Sequence, residues 1–106
     1  MRAAALVLAL AATPLAVAQA QESGNARRGL VYVRGHCSSC HAVERGNRHS
    51  PNRQAPAFTT IANVPGMTAI ALHAALTTPH RVMPNILVEA NDRDDVIAYI
   101  LGLARN

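Results

Sequence analysis

The chain has two cysteines in its 106 residues, and both fall in Cys37-Ser38-Ser39-Cys40-His41. This stretch constrains the fold more than any other. Two thiols three positions apart can each add across a vinyl group of one haem, and the next residue then sets an imidazole under the iron. The pattern is that of a c-type haem attachment site. A chain carrying it must wrap around a flat apolar group. Two other chemistries use the same spacing: a dithiol redox pair, and a zinc site, which would need a fourth ligand beyond Cys37, Cys40 and His41. The surrounding sequence separates the three.

Ahead of the motif, Met1-Arg2 leads into an Ala-, Leu- and Val-rich run and then Ala18-Gln19-Ala20. Charge, short apolar core and small-residue cleavage site make the layout of a secretory signal peptide. Residues 1–20 are therefore expected to be a signal peptide cut after Ala20, and 21–106 an exported domain in the periplasm. An uncleaved anchor fits less well, because Pro14 interrupts a run already short for a span of about 20 residues. No stable membrane insertion is expected.

The exported part is one small domain with few bulky side chains: one Phe (Phe58), two Tyr (Tyr32 and Tyr99) and no Trp. Domains of this size bury a thin core, and a covalently held haem would supply the missing volume. The formal charge of +4 falls to +3 when Arg2 leaves with the signal. That is mildly basic, with too few aromatic residues for base stacking, so a nucleic-acid partner is not expected.

Downstream the pattern is helical. Ser23 or Asn25 can cap a helix from about Ala26 to Gly35, with Ala26, Leu30 and Val33 on one face. Gly29 inside it costs roughly 1 kcal/mol relative to Ala, which points to a second helix crossing closely there. Residues 42–56 carry Gly46, Asn47, Ser50, Pro51, Asn52 and Pro56, and read as a loop that wraps something. Phe58, Ile61 and Val64 suggest a short apolar turn. Thr68 can cap a third helix, roughly Ala69 to Thr77, stopped by Pro79. A final helix has Asn91 as its expected N-cap and Asp92, Asp94 and Asp95 in its first turn. It shows two apolar faces: Val96, Tyr99, Ile100 and Leu103 on one, Ile97, Leu101 and Ala104 on the other. Two faces suggest two tasks, packing near Gly29 and covering the haem.

A haem held by His41 has a second axial position, whose occupant decides between electron carriage and ligand binding. His36 and His49 lie too near the attachment site, His73 sits on a helix, and Met67 reads as packing at a helix start. Met83 shares the stiff, proline-flanked segment 79–84 with His80, far enough from His41 to approach the other haem face. Met83 is the expected sixth ligand, with His80 or an open position as the alternatives.

The order of these features resembles the small monohaem class I cytochromes c of bacteria, over nearly all of residues 21–106. The resemblance is carried by Gly29, Cys37-Ser38-Ser39-Cys40-His41, Ala55-Pro56-Ala57-Phe58, Thr78-Pro79-His80, Met83-Pro84 and Ile97-Ala98-Tyr99-Ile100-Leu101. It implies an all-α fold, three to four short helices wrapped around one covalent haem c, with the first and last helices crossing where Gly29 and Val33 meet Tyr99. It also implies that a proline carbonyl, from Pro51 or Pro56, holds the ring N–H of His41. The expected function is that of a periplasmic electron-transfer protein, not an enzyme, cycling haem iron between ferric and ferrous with His41 and Met83 as axial ligands. A haem subunit or ligand-binding protein serving an oxidoreductase, or less readily a dithiol oxidoreductase, is the alternative. Arg34, Arg45, Arg48, Arg53 and Arg81 flank the haem-contacting segments and could ring its edge, which would suit redox protein partners with acidic surfaces. A monomer is the default.

Overall fold

Asn25 opens the first helix as its side-chain oxygen accepts from the backbone N–H of Arg28, and α1 then runs Ala26–His36. In the computed structural model, which describes residues 24–80 and 82–105, three further helices follow: α2 Phe58–Ala62, α3 Ala69–Thr77 and α4 Ala90–Leu101. Among the described residues there is no strand, so the architecture is all-α. No helix among them is long and apolar enough to cross a membrane. The expected signal peptide, residues 1–20, lies outside the described residues, as does Arg81.

The fold is organised on α4, against which α1, α2 and α3 all pack. All six residues from Asp95 to Ile100 are buried. Both expected apolar faces are therefore used, although Leu101 and Ala104 remain half-buried. Gly29 is the point of closest approach to α1. A Cβ there would collide with the backbone carbonyl of Asp95 and come within 2.8 Å of the Tyr99 Cβ. Gly24 makes a second such approach, against the carbonyl of Asp94.

The start of α4 differs from expectation. The N-cap is Glu89, without a side-chain cap hydrogen bond, and Asn91 is inside the helix. Of the three aspartates only Asp92 is in the first turn. Asp95 instead turns inward: its carboxylate accepts from Arg28 Nε at 2.6 Å, Arg28 Nη2 at 2.9 Å and the Asn25 backbone N–H at 2.6 Å. These bonds hold its pKa below the ordinary carboxylate value, the Arg28 side chain contributing most. The ion pair fixes the start of α1 on α4.

Two other segments follow the sequence in outline only. Phe58 is buried and Ile61 half-buried at α2, but Val64 is 47% exposed. On α3, capped by Thr68 as expected, Leu72 is buried while Ile70 is 83% exposed. The core is thin: Val33 and Val96 are its largest fully buried side chains.

Candidate haem attachment site

The chain does not unwind at the end of α1. Cys37 caps the helix with its N–H on the Val33 carbonyl, Ser38 N–H reaches the same carbonyl, and the Ser38 hydroxyl donates back to the Arg34 carbonyl. A further turn then forms, in which Cys40 and His41 both donate their backbone N–H to the Cys37 carbonyl, at 3.2 and 2.9 Å. Residues three and four apart on a helical turn share a side, so this turn sets Cys40 and His41 on the same side of the backbone as Cys37. Both cysteines are half-buried and unbridged.

The loop from Ala42 to Ala57 folds back on that turn. Asn52 N–H donates to the Cys40 carbonyl, Ala42 N–H to the Ser50 hydroxyl, and Phe58 N–H to the Ala42 carbonyl. Tyr99, reaching across from α4, donates its buried hydroxyl to the Val43 carbonyl at 2.6 Å. These anchors bring Pro56, not Pro51, to the histidine: His41 Nδ1 lies 2.7 Å from the Pro56 carbonyl oxygen. A carbonyl can only accept, so the proton is on Nδ1 and the lone pair on Nε2. The ring tilts against Phe58, with centroids 5.2 Å apart. An imidazole oriented by a carbonyl through one nitrogen presents the other as a metal ligand.

Met83 and His80 line a cavity of about 230 Å³ formed by the end of α3, residues 78–80 and 83–88 and Arg93 of α4. Met83 is half-buried and His80 exposed. None of Cys37, Cys40 and His41 is among the residues lining that cavity. Met67 is half-buried against the core, and His36, His49 and His73 are exposed, as their sequence positions suggested. Among the described residues, no group of three His, Cys, Asp or Glu side chains converges as a metal site. The zinc reading gains no fourth ligand.

The donor chemistry fits a c-type haem: two half-buried, unbridged thiols on one turn, an imidazole with a directed Nε2, and a thioether on the wall of a cavity of mixed polarity. It fits a dithiol redox pair poorly. Burial pushes the Cys37 thiol up to about 11, whereas redox-active cysteines are kept as thiolates by lowered pKa values.

The expected arginine ring is partly engaged in structure. Arg34 forms a two-pronged pair with Glu44 at 2.6 and 2.9 Å, and Arg45 donates to the Gly102 carbonyl at the end of α4. Arg48 and Arg53 are exposed on the loop. Sequence reasoning missed Arg93, whose Nε is buried without a hydrogen-bond partner. One signal was available: a cation in the opening turn of a helix is at the wrong end of the dipole. The chain matches no protein-family model, no curated protein and no solved structure.

Proposed function

We propose that this protein is a periplasmic electron carrier with one covalent haem c, of the kind its sequence resembles among the small class I cytochromes c. The observation that carries the reading is the 2.7 Å bond from His41 Nδ1 to the Pro56 carbonyl, directly after two unbridged cysteines on the same turn. Cys37 and Cys40 would each add S–H across a vinyl group, leaving thioether tethers. His41 would hold the iron on one side and Met83 on the other. When bound, the haem supplies an iron that takes up and releases one electron.

The chain's own part is to bind, orient and exclude. Pro56 fixes the His41 ring, so the ligand needs no reorientation between oxidation states. Phe58 packs at the ring's side. Leu87 lines the Met83 cavity yet is 86% exposed, which leaves apolar surface for a porphyrin face to cover. A thioether ligand favours ferrous iron and so raises the potential. Residues 1–20 would direct export, and the redox partners would be proteins that meet the haem edge beside the cysteines.

The deciding experiment is expression with the c-type maturation machinery, followed by a denaturing gel stained for haem. Haem that stays with the polypeptide supports attachment, and its loss sinks the reading. The absorption spectrum then separates the carrier from a ligand-binding haem protein. Low-spin, six-coordinate iron slow to bind carbon monoxide when reduced is expected, while high-spin iron with rapid binding would move the assignment to the ligand-binding class.

A further inference from the structure

After Pro51 the loop must return to the motif turn and present one carbonyl to one ring nitrogen. Asn52 is where it returns. Its backbone N–H donates to the Cys40 carbonyl at 3.1 Å, its carbonyl accepts from the Ala55 N–H at 3.0 Å, and its side-chain Oδ1 accepts from the Gln54 N–H at 2.9 Å. The last bond is an Asx turn, in which a short polar side chain stands in for a backbone carbonyl. It is nested inside the tight turn that the Ala55 bond closes. Pro56 follows at once with its φ held by the ring, so its carbonyl takes its direction from that turn. That carbonyl lies 2.7 Å from His41 Nδ1. The loop thus closes between chain neighbours, docking on the Cys40 carbonyl through Asn52 and on the His41 ring through Pro56. Asn47 makes the same kind of bond to the His49 N–H at 3.0 Å, but earlier in the loop, ahead of the Ser50 hydroxyl that anchors it to Ala42.

The geometry points to the Asn52 side chain as a positioning residue for His41: its Asx turn aims the Pro56 carbonyl at Nδ1 and so sets the donor strength of Nε2. This inference rests on the haem reading above, and adds to it a residue that acts only through Pro56. An imidazole whose N–H is held by a carbonyl is the more basic ligand, and a more basic ligand favours ferric iron. Asn52 therefore works against the thioether of Met83, which favours ferrous.

The test uses the mature holoprotein, with Asn52→Ala, Asn52→Asp and Asn47→Ala beside the parent. Haem staining of a denaturing gel comes first. A parent without retained haem would overturn the cofactor reading and this assignment with it. Where haem is retained, the His41 Nδ1–H of the reduced proteins is followed by ¹⁵N-edited NMR. Asn52→Ala should speed exchange of that proton with solvent about fivefold, the factor that one ordinary hydrogen bond sets, and raise the midpoint potential. Asn52→Asp keeps an acceptor oxygen in the same place and should return the exchange rate to near that of the parent. Asn47→Ala loses an equivalent bond and should move neither readout. Exchange and potential unchanged in Asn52→Ala, or moved equally by Asn47→Ala, would overturn the Asn52 assignment and leave the haem reading standing. Should Asn52→Ala fail to mature, the parent alone decides: matched protection of the Gln54 N–H and the His41 Nδ1–H supports the coupling, and a freely exchanging Gln54 N–H beside a protected His41 Nδ1–H rejects it.

Discussion

At the scale of single residues, the sequence is most readable where one chemistry demands one residue. Gly29 is such a place. No side chain fits against the Asp95 carbonyl and the Tyr99 Cβ, so a glycine in the middle of this helix is itself the mark of a crossing. Gly35, in the same helix, has nothing within 4 Å of a built Cβ. Opposite outcomes follow for one substitution: Gly35→Ala should gain up to about 1 kcal/mol from helix propensity, while Gly29→Ala should lose about 1–3 kcal/mol net to overpacking. Denaturant midpoints of the holoproteins measure both. The choice between Pro51 and Pro56 is not readable from sequence, because it depends on how Asn52 and Phe58 pin the loop to the motif turn. On the proposed haem ligation, Met83→Ala should retain haem on a denaturing gel, lower the midpoint potential and admit carbon monoxide rapidly. His80→Ala should change neither the spectrum nor the carbon monoxide rate. The reverse pattern would make His80 the ligand.

At the scale of elements, α1 and α3 are legible because each has a side-chain cap, Asn25 or Thr68, that satisfies a free N–H. The start of α4 is not, because its cap makes no side-chain bond and the run Asn91-Asp92-Arg93-Asp94-Asp95 offers several polar starts. What its acids do depends on tertiary contact. Asp95 serves α1 more than its own helix, and that pairing has a pH signature. Its folded pKa lies below the ordinary value, chiefly through the Arg28 hydrogen bonds and then the Asn25 N–H. The stabilisation is therefore present above the unfolded carboxylate pKa of about 3.9 and is lost as pH falls through the lower folded value. Asp95→Asn should cost stability at neutral pH, and the gap to the parent should shrink as the pH drops below about 4. Urea midpoints of the two holoproteins across that range check the sign. A gap that stays constant with pH would mean that shape, not charge, is what Asp95 contributes.

At the scale of the whole molecule, the charges are unevenly distributed along the chain. Four of the six acids fall between Glu89 and Asp95, whereas Arg34, Arg45, Arg48 and Arg53 surround the attachment turn and its loop with Glu44 as their one nearby acid. Hydrogen bonding to Glu44 offsets Arg34, and Arg45 keeps its charge while donating to a neutral carbonyl. The surplus near the cysteines therefore rests on Arg45, Arg48 and Arg53. Surface charge of this kind alters encounter rates more than affinity, and its reach is about 10 Å at 0.1 M salt. On the proposed function, electron transfer through a haem edge beside Cys37 and Cys40 should then be fastest with anionic reagents at low ionic strength. Stopped-flow oxidation of the reduced protein by a small anionic metal complex should slow as salt is added, and oxidation by a cationic complex of similar potential should speed up. The double variant Arg48→Gln with Arg53→Gln should flatten both slopes while leaving the spectrum unchanged. Rates with the anionic complex that ignore ionic strength in the parent would mean that these arginines serve the loop and not the partner.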